Sequence, residues 1–348
     1  MRALATVDTV TDITPIEGAD RIVVAHVRGW RIVVKKGEFS PGDLCVYFEI
    51  DSFLPATDPR YSFLTERSTR TTVEGVQGHP LRTVKLRGVV SQGLAMRTEL
   101  FPEISGMPPG TDVTEILNIT KWEPPIPAEL AGTVAGAWPG WLTKTDEERI
   151  QNTPGLFSYA SQRFDGAAWE AYEKIDGASM SVFLHDNIFA VASRNRNLLE
   201  TPDNSLWKLA RHLNLENILR DTSIDAIQGE IFGEGIQGNP LRMRGQHYAI
   251  FDVWQNRQRI PRTEWPTIIS QMSVPRRQDY EHPDLFRTQE TLLETVNGMK
   301  SIINTTRSAE GVVYRHPTLT EVTDPETGHA TKASFKVISN TYLLKHEQ

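Results

Sequence analysis

Near the middle of the chain, Glu173-Lys174-Ile175-Asp176-Gly177 stands at the end of a predicted strand. A lysine in that position is a candidate nucleophile, because an uncharged primary amine can attack phosphorus. Its ordinary pKa is about 10.4, so the site must hold the amine neutral by desolvation or nearby positive charge. The residue two positions on shares a face of an extended chain, which sets the Asp176 carboxylate beside the amine. There it can help hold a metal ion, while Gly177 lets backbone come close to a phosphate. Alone, K-x-D-G is a weak signal, and a turn with a solvated lysine is the commoner meaning.

Other residues downstream form an ordered set with it. Ser193-Arg194-Asn195 closes the strand pair after the lysine, and Glu230 lies in Gln228-Gly229-Glu230-Ile231-Phe232-Gly233. Phe251-Asp252-Val253 ends an apolar strand, Glu310-Gly311-Val312-Val313 begins another, and Phe335-Lys336-Val337 falls in the last. In this order they resemble motifs I, Ia, III, IIIa, IV and V of the covalent nucleotidyltransferase superfamily. That group comprises ATP-dependent DNA and RNA ligases and capping enzymes, and the resemblance runs from about Leu142 to the end of the chain.

The resemblance implies that Lys174 takes AMP from ATP to become lysyl–AMP, with Glu173 and Ile175 beside it in the nucleotide pocket. It implies Arg194 on the ribose or an incoming phosphate, Phe251 stacked on adenine, and Lys336 neutralising the α-phosphate. Asp176 and Glu310 hold the catalytic metal, directly or through water, and Glu230 binds ribose or the metal's hydration shell. Hard oxygen ligands and phosphate favour Mg²⁺ or Mn²⁺ over zinc. Many ligases carry K-x-K in motif V, whereas this chain has Ser334-Phe335-Lys336, leaving Lys332 as a nearby substitute cation. The nine histidines show no paired metal-ligand spacing.

These residues need a scaffold, and the periodicities supply an α+β one. Short runs at Ile22–Val27, Trp30–Val34, Leu44–Ile50, Thr83–Leu86 and Leu94–Met96, parted by turn signals, predict an N-terminal OB-like β-barrel over 1–120. A Pro- and Gly-rich stretch at 121–141 reads as a linker. Over 142–348 the pattern predicts an antiparallel sheet with helices inserted, and the resemblance implies an adenylyltransferase domain of the ATP-grasp-like, DNA-ligase type. Its strands fall at Trp169–Lys174, Met180–Leu184, Ile188–Ala192, Ala226–Phe232, His247–Trp254, Gly311–Tyr314 and Ser334–Ile338. Helices are expected at Asn204–Leu213, Arg262–Gln271, Gln289–Lys300 and in the C-terminal tail.

The order of these domains narrows the resemblance. DNA ligases and capping enzymes usually carry an OB domain after motif V, but only a dozen residues follow Lys336 and the OB-like segment lies upstream. That order resembles the fifth RNA-ligase family. Local runs point the same way: Ile16–Ile22, Gly37–Asp43, Leu86–Leu94 and Lys144–Asn152, where Arg149 is a candidate phosphate contact.

Net charge is −7, so nucleic acid must be met by a local basic surface. Arg60, Arg67, Arg70, Arg82, Lys85, Arg87 and Arg97 offer one, with Arg82, Lys85 and Arg87 as nucleic-acid contacts and Trp30, Tyr61 and Phe63 as possible base platforms. The expected partner is a nicked RNA or RNA-containing duplex, preferring a ribonucleotide at the 3′-hydroxyl. A reduced DNA ligase, a capping guanylyltransferase and an inactive nucleic-acid-binding protein are the rivals. The single cysteine, Cys45, excludes an internal disulfide, no apolar run approaches membrane length, and an intracellular monomer is expected.

Overall fold

Cys45, Val46, Tyr47 and Phe48 form a run without a polar residue, and all four are fully buried. In the computed structural model, which describes residues 3–72, 75–122, 134–136, 138–162, 169–194, 196–325, 328 and 330–346, this run belongs to a curled antiparallel sheet. Its members are β1 (Ala5–Pro15), β2 (Ile22–Val27), β3 (Trp30–Lys35), β4 (Leu44–Phe48) and β5 (Leu94–Arg97), in the order β5-β4-β1-β2-β3. Cys45 and Tyr47 point into the core that holds Trp30 and Ile32. Val46 and Phe48 point the other way, into a second core with Leu54, Tyr61 and Phe101. A strand buried on both faces reads as a continuous apolar run.

The long strand β1 serves two partners, pairing β4 through Ala5–Thr9 and β2 through Val10–Pro15, with a register shift between Val10 and Asp12. Such a bulge bends a strand and lets a small sheet curl. The Gln92 N–H donates to the Arg31 carbonyl at 2.9 Å and brings the ends of the curl together. This half-barrel is the expected OB architecture.

The chain divides into two compact units, Met1–Ile126 with Leu343–Gln348, and Pro127–Tyr342. Residues 123–133 and 137 of the expected linker lie outside the described residues. The second unit is built on two antiparallel sheets. One has seven strands and contains β7 (Ala178–His185), β8 (Ile188–Ala192), β9 (Ala226–Gly233) and β10 (Gln246–Gln255), in the order β8-β7-β9-β10. The other joins β6 (Glu170–Lys174), β11 (Gly311–Arg315) and β12 (Ser334–Ile338), with β11 central.

Helices α1 (Ser205–His212) and α2 (Leu215–Thr222) cover one face of the larger sheet, with Leu206, Trp207, Leu215 and Leu219 on Met180, Ile227 and Ile250. Asn204 caps α1 by accepting from the Leu206 and Trp207 N–H groups. The expected helix over Arg262–Gln271 is a 3₁₀ turn, Arg262–Glu264, and a short helix, Thr267–Ser270. Pro266 between them has no N–H to continue a helical ladder.

A ring of charge ties the sheets together. Glu147 pairs with Arg315 and, at 2.5 Å, with Lys332; Asp252 pairs with Arg315 at 2.7 Å and Lys332 at 3.0 Å. Both acids are nearly enclosed, at 8% and 5% side-chain exposure. Burial works against their ionisation, but Arg315 and Lys332 more than offset it and hold both carboxyls below the usual range. A depressed folded-state pKa contributes stability above the unfolded value, about 4, which is lost as pH falls through the folded value. Asp252→Asn should therefore cost about 3–5 kcal/mol at neutral pH, with the gap to wild type closing below about pH 4. Urea unfolding across pH checks this, and an equal gap at pH 3 and pH 7 would refute it.

Candidate active site

In β6 alternate residues face opposite ways, and the pairing Lys174↔Gly311, Tyr172↔Val313↔Lys336 and Glu170↔Arg315↔Ser334 puts these on one face of the small sheet. The opposite face, with Ala171, Val312, Tyr314, Phe335 and Val337, is core. The strand pattern therefore carries the nucleophile candidate and Lys336 to the same side. Glu310 precedes β11, and its Oε2 accepts from the Lys174 amine at 2.9 Å.

Gly177 turns the chain from β6 into β7, against the strand that carries Glu230. A Cβ there would collide with the Ile231 carbonyl oxygen and come within 2.9 Å of the Glu230 Cγ. The absence of a side chain thus makes room for β9 and Glu230. Asp176 accepts a hydrogen bond at 2.8 Å from the Tyr342 hydroxyl. No sequence signal singles out that tyrosine.

Burial favours the neutral Lys174 amine, yet Glu310, Glu230 and Asp176 together outweigh it and raise its pKa. The expectation of a depressed lysine is therefore not met by the protein's own residues. Burial, aided by Glu310 and Asp176, lifts Glu230 to about 7 against the pull of Lys174. Glu310 is likewise raised, chiefly by burial. Three carboxylates surround the Lys174 ammonium, and even with Arg194 acting on Glu230 and Lys336 on Glu310, both glutamates stay raised.

Among the described residues no three His, Cys, Asp or Glu side chains close into a metal cage. The donor set still fits a hard divalent ion. Mg²⁺ is typically held by one or two carboxylates, several waters and substrate phosphates rather than by an all-protein cage.

The other expected site residues separate. Phe251 is half-buried on β10 at a register shift, because Gln228 pairs with Asp252 while Gly229 pairs with Ile250. A bulge re-aims a side chain, and the Phe251 ring lies 5.9 Å from the Arg315 guanidinium carbon. Ile175 is buried with Tyr172, Phe232 and Val274, and Phe251 packs against this group. Arg194 is exposed and paired with Asp146; its neighbour Asn195 lies outside the described residues.

Glu173 corrects the sequence reading. Its carboxylate faces away from Lys174, accepts from the Ser301 hydroxyl and, at 2.8 Å, the Ile302 N–H, and lies 3.6 Å from Arg277. It anchors a loop, with each of its oxygens accepting a hydrogen bond from the Ser301–Ile302 segment. Arg149, expected at nucleic acid, is only 6% exposed and bridges through its backbone to Lys336. It sits in the unit's interior rather than on an open surface. Ser334 donates to Glu147, and Lys332, the nearby cation that the sequence offered for motif V, is held by Glu147 and Asp252.

In the OB unit Trp30 and Tyr61 are fully buried and cannot stack on bases; Phe63 is 58% exposed. Arg60 is neutralised by Asp58 and Glu103, each at 2.6 Å, and Arg97 donates to the Glu38 carbonyl. The Arg67 side chain lies outside the described residues. Arg70 stays exposed, donating to the Thr69 carbonyl, and the rest of the basic surface gathers at the hairpin of Val84–Leu86 and Val89–Ser91. Lys85 and Arg87 are exposed there without an ion pair among the described residues, flanked by exposed Val84 and Leu86. Arg82 is partly buried just before it.

Comparison with known proteins agrees with this division. The OB-fold domain family matches residues 4–98 and the RNA ligase family matches residues 167–338. No curated protein matches the chain. A single-residue variant of Naegleria gruberi RNA ligase with AMP and Mn is 39% identical over 99% of both chains, with a TM-score of 0.85. The same organism's enzyme with pyrophosphate is 39% identical over 100% of this chain and 99% of the other, at TM-score 0.83. Another variant, with ATP and Mn, is 38% identical over 99% of both chains, also at 0.83. With an OB-fold domain ahead of a ligase domain and this identity along its whole length, the chain belongs to the ATP-dependent RNA ligase family.

Proposed function

We propose that this ligase seals a 3′-hydroxyl to a 5′-phosphate in nicked RNA through lysyl–AMP. The carrying observation is the Lys174 amine, 2.9 Å from Glu310 and within the field of Glu230 and Asp176. The Lys174 Nζ lone pair attacks the α-phosphorus of ATP, the bond to the bridging oxygen breaks, and pyrophosphate leaves with its electrons. Glu310 is placed to take the amine proton. The AMP passes to the 5′-phosphate oxygen of the nucleic acid, freeing Lys174. The 3′-hydroxyl then attacks that activated phosphorus, and AMP departs.

A divalent cation held by Asp176, Glu230 and Glu310, directly or through water, would supply charge against both the amine's proton and the phosphate. Lys336 meets the α-phosphate, Phe251 stacks on adenine and Arg194 exchanges Asp146 for ribose or phosphate. Phosphoryl transfer of this kind depends on in-line positioning and charge neutralisation more than on further covalent chemistry. AMP, ATP, pyrophosphate and Mn in the similar Naegleria structures support the cycle.

The OB domain and the ligase domain imply nucleic-acid binding. We assign the strand contact to the hairpin carrying Lys85 and Arg87, where charge and exposed apolar side chains coincide. A ribonucleotide at the 3′-hydroxyl is readable through its 2′-hydroxyl. Among the described residues no helix is long and apolar enough to cross a membrane. An intracellular monomer, with 1–120 as the OB domain and 142–348 as the ligase domain, completes the reading.

Incubation with α-labelled ATP and Mn²⁺ should label wild type at Lys174, shown by peptide mass spectrometry, and leave Lys174→Ala blank. A label on another residue, or none under any divalent metal, overturns the assignment. Glu310→Ala should slow labelling at least about 100-fold, in line with loss of a group acting on transition-state charge. Replacing both Lys85 and Arg87 by Glu should weaken nicked-RNA binding about tenfold at low salt and flatten its salt dependence, with Lys174 labelling kept. Unchanged affinity would move the RNA contact elsewhere on the OB unit.

A further inference from the structure

The segment Thr143–Arg149 precedes the strand that carries Lys174. Its contacts pass from the larger sheet to the small one. The Thr143 carbonyl accepts from Gln228 at 2.9 Å, Thr145 donates to Ser179 at 3.0 Å, and Asp146 pairs with Arg194. Glu147 then takes Arg315, Lys332 and the Ser334 hydroxyl, the last at 2.6 Å. The Glu148 carbonyl accepts the Lys336 N–H at 2.8 Å, and Arg149 bridges in parallel to Lys336.

We propose that Glu147 is a positioning residue for lysine adenylylation: it fixes Lys336 where the α-phosphate charge must be met. Ser334 and Lys336 lie two apart on one face of β12, so a carboxylate clamped on Ser334 sets the register and height of Lys336. Lys332 is committed to Glu147 and Asp252, so β12 offers the phosphate one cation, and its placement bears directly on rate. Removing the Glu147 charge leaves Arg315 and Lys332 facing Asp252 alone. The surplus positive charge is enclosed and poorly screened, next to the strand that carries Lys336.

This inference rests on Lys174 as the nucleophile. Single-turnover labelling of Lys174 in wild type is therefore the baseline, and its absence sinks that reading rather than this one. In Glu147→Gln, the labelling rate at saturating ATP should fall about tenfold while the ATP concentration for half-maximal rate shifts less than threefold. Adding Lys332→Met, which restores the balance of charge, should recover a large part of the loss. A rate within twofold of wild type, or a double variant no faster than the product of the singles, overturns the proposal. Should Glu147→Gln not fold, Ser334→Ala reads the same clamp: a two- to threefold slower rate at unchanged melting temperature supports it, and a wild-type rate refutes it.

Discussion

The contact between the Lys174 amine and the Glu310 carboxylate, 2.9 Å long, depends on the register of two neighbouring strands. Lys174 is opposite Gly311, and Glu310 is the residue just before it. A slip of one position would turn Lys174 into the core and bring Glu173 out in its place. The core prevents that slip: Ala171, Val312, Tyr314, Phe335 and Val337 pack on the opposite face, with Trp169 and Leu156 in the same cluster. Chemistry on one side of the small sheet is thus held in place by apolar burial on the other.

Close approach of strands is the second condition. A side chain on Gly311 would strike the Val337 carbonyl, one on Gly229 would press the Ala249 carbonyl and the Tyr248 ring, and one on Gly177 would strike Ile231. All three glycines flank the acids of the site or the strand that carries them. Backbone packed this tightly leaves Glu230 and Glu310 partly withdrawn from water, and their raised pKa values follow from that burial. Spacing between strands, set by the absence of a methyl group, becomes an electrostatic property of the acids.

Much of this was legible in the sequence because it is written in period two. The strands around Lys174, Phe251, Val312 and Lys336 show alternation or apolar runs, and each forms within a residue or two of its expected place. Strand β1 was not legible as a strand. Its Thr6 and Asp8 are polar yet buried, satisfied by each other and by Arg28, which reaches Asp8 at 2.6 Å from another strand's turn. Only the tertiary partner makes those residues core. The same holds for Trp30 and Tyr61, whose aromatic faces could serve RNA or a core equally well until burial decides. Glu173 shows the limit of carrying a motif over residue by residue: strand alternation alone places its side chain opposite Lys174. The Glu147 ring left no local pattern, since its members lie more than 60 residues apart along most of its edges.

Two clusters of buried charge in one domain invite a comparison of their balance. The ring sets Glu147 and Asp252 against Arg315 and Lys332, anion for cation, and both its acids are driven below the usual range. The Lys174 cluster gathers three carboxylates around one amine, and two of them, Glu230 and Glu310, are driven upward. A balanced cluster is complete without a ligand and acts as scaffold. An unbalanced one stays electrostatically costly until a cation enters, and such strain marks a site built for something absent from the chain itself. In the proposed cycle the second cluster receives ATP and its divalent ion, while the first fixes the strands on which that cluster stands.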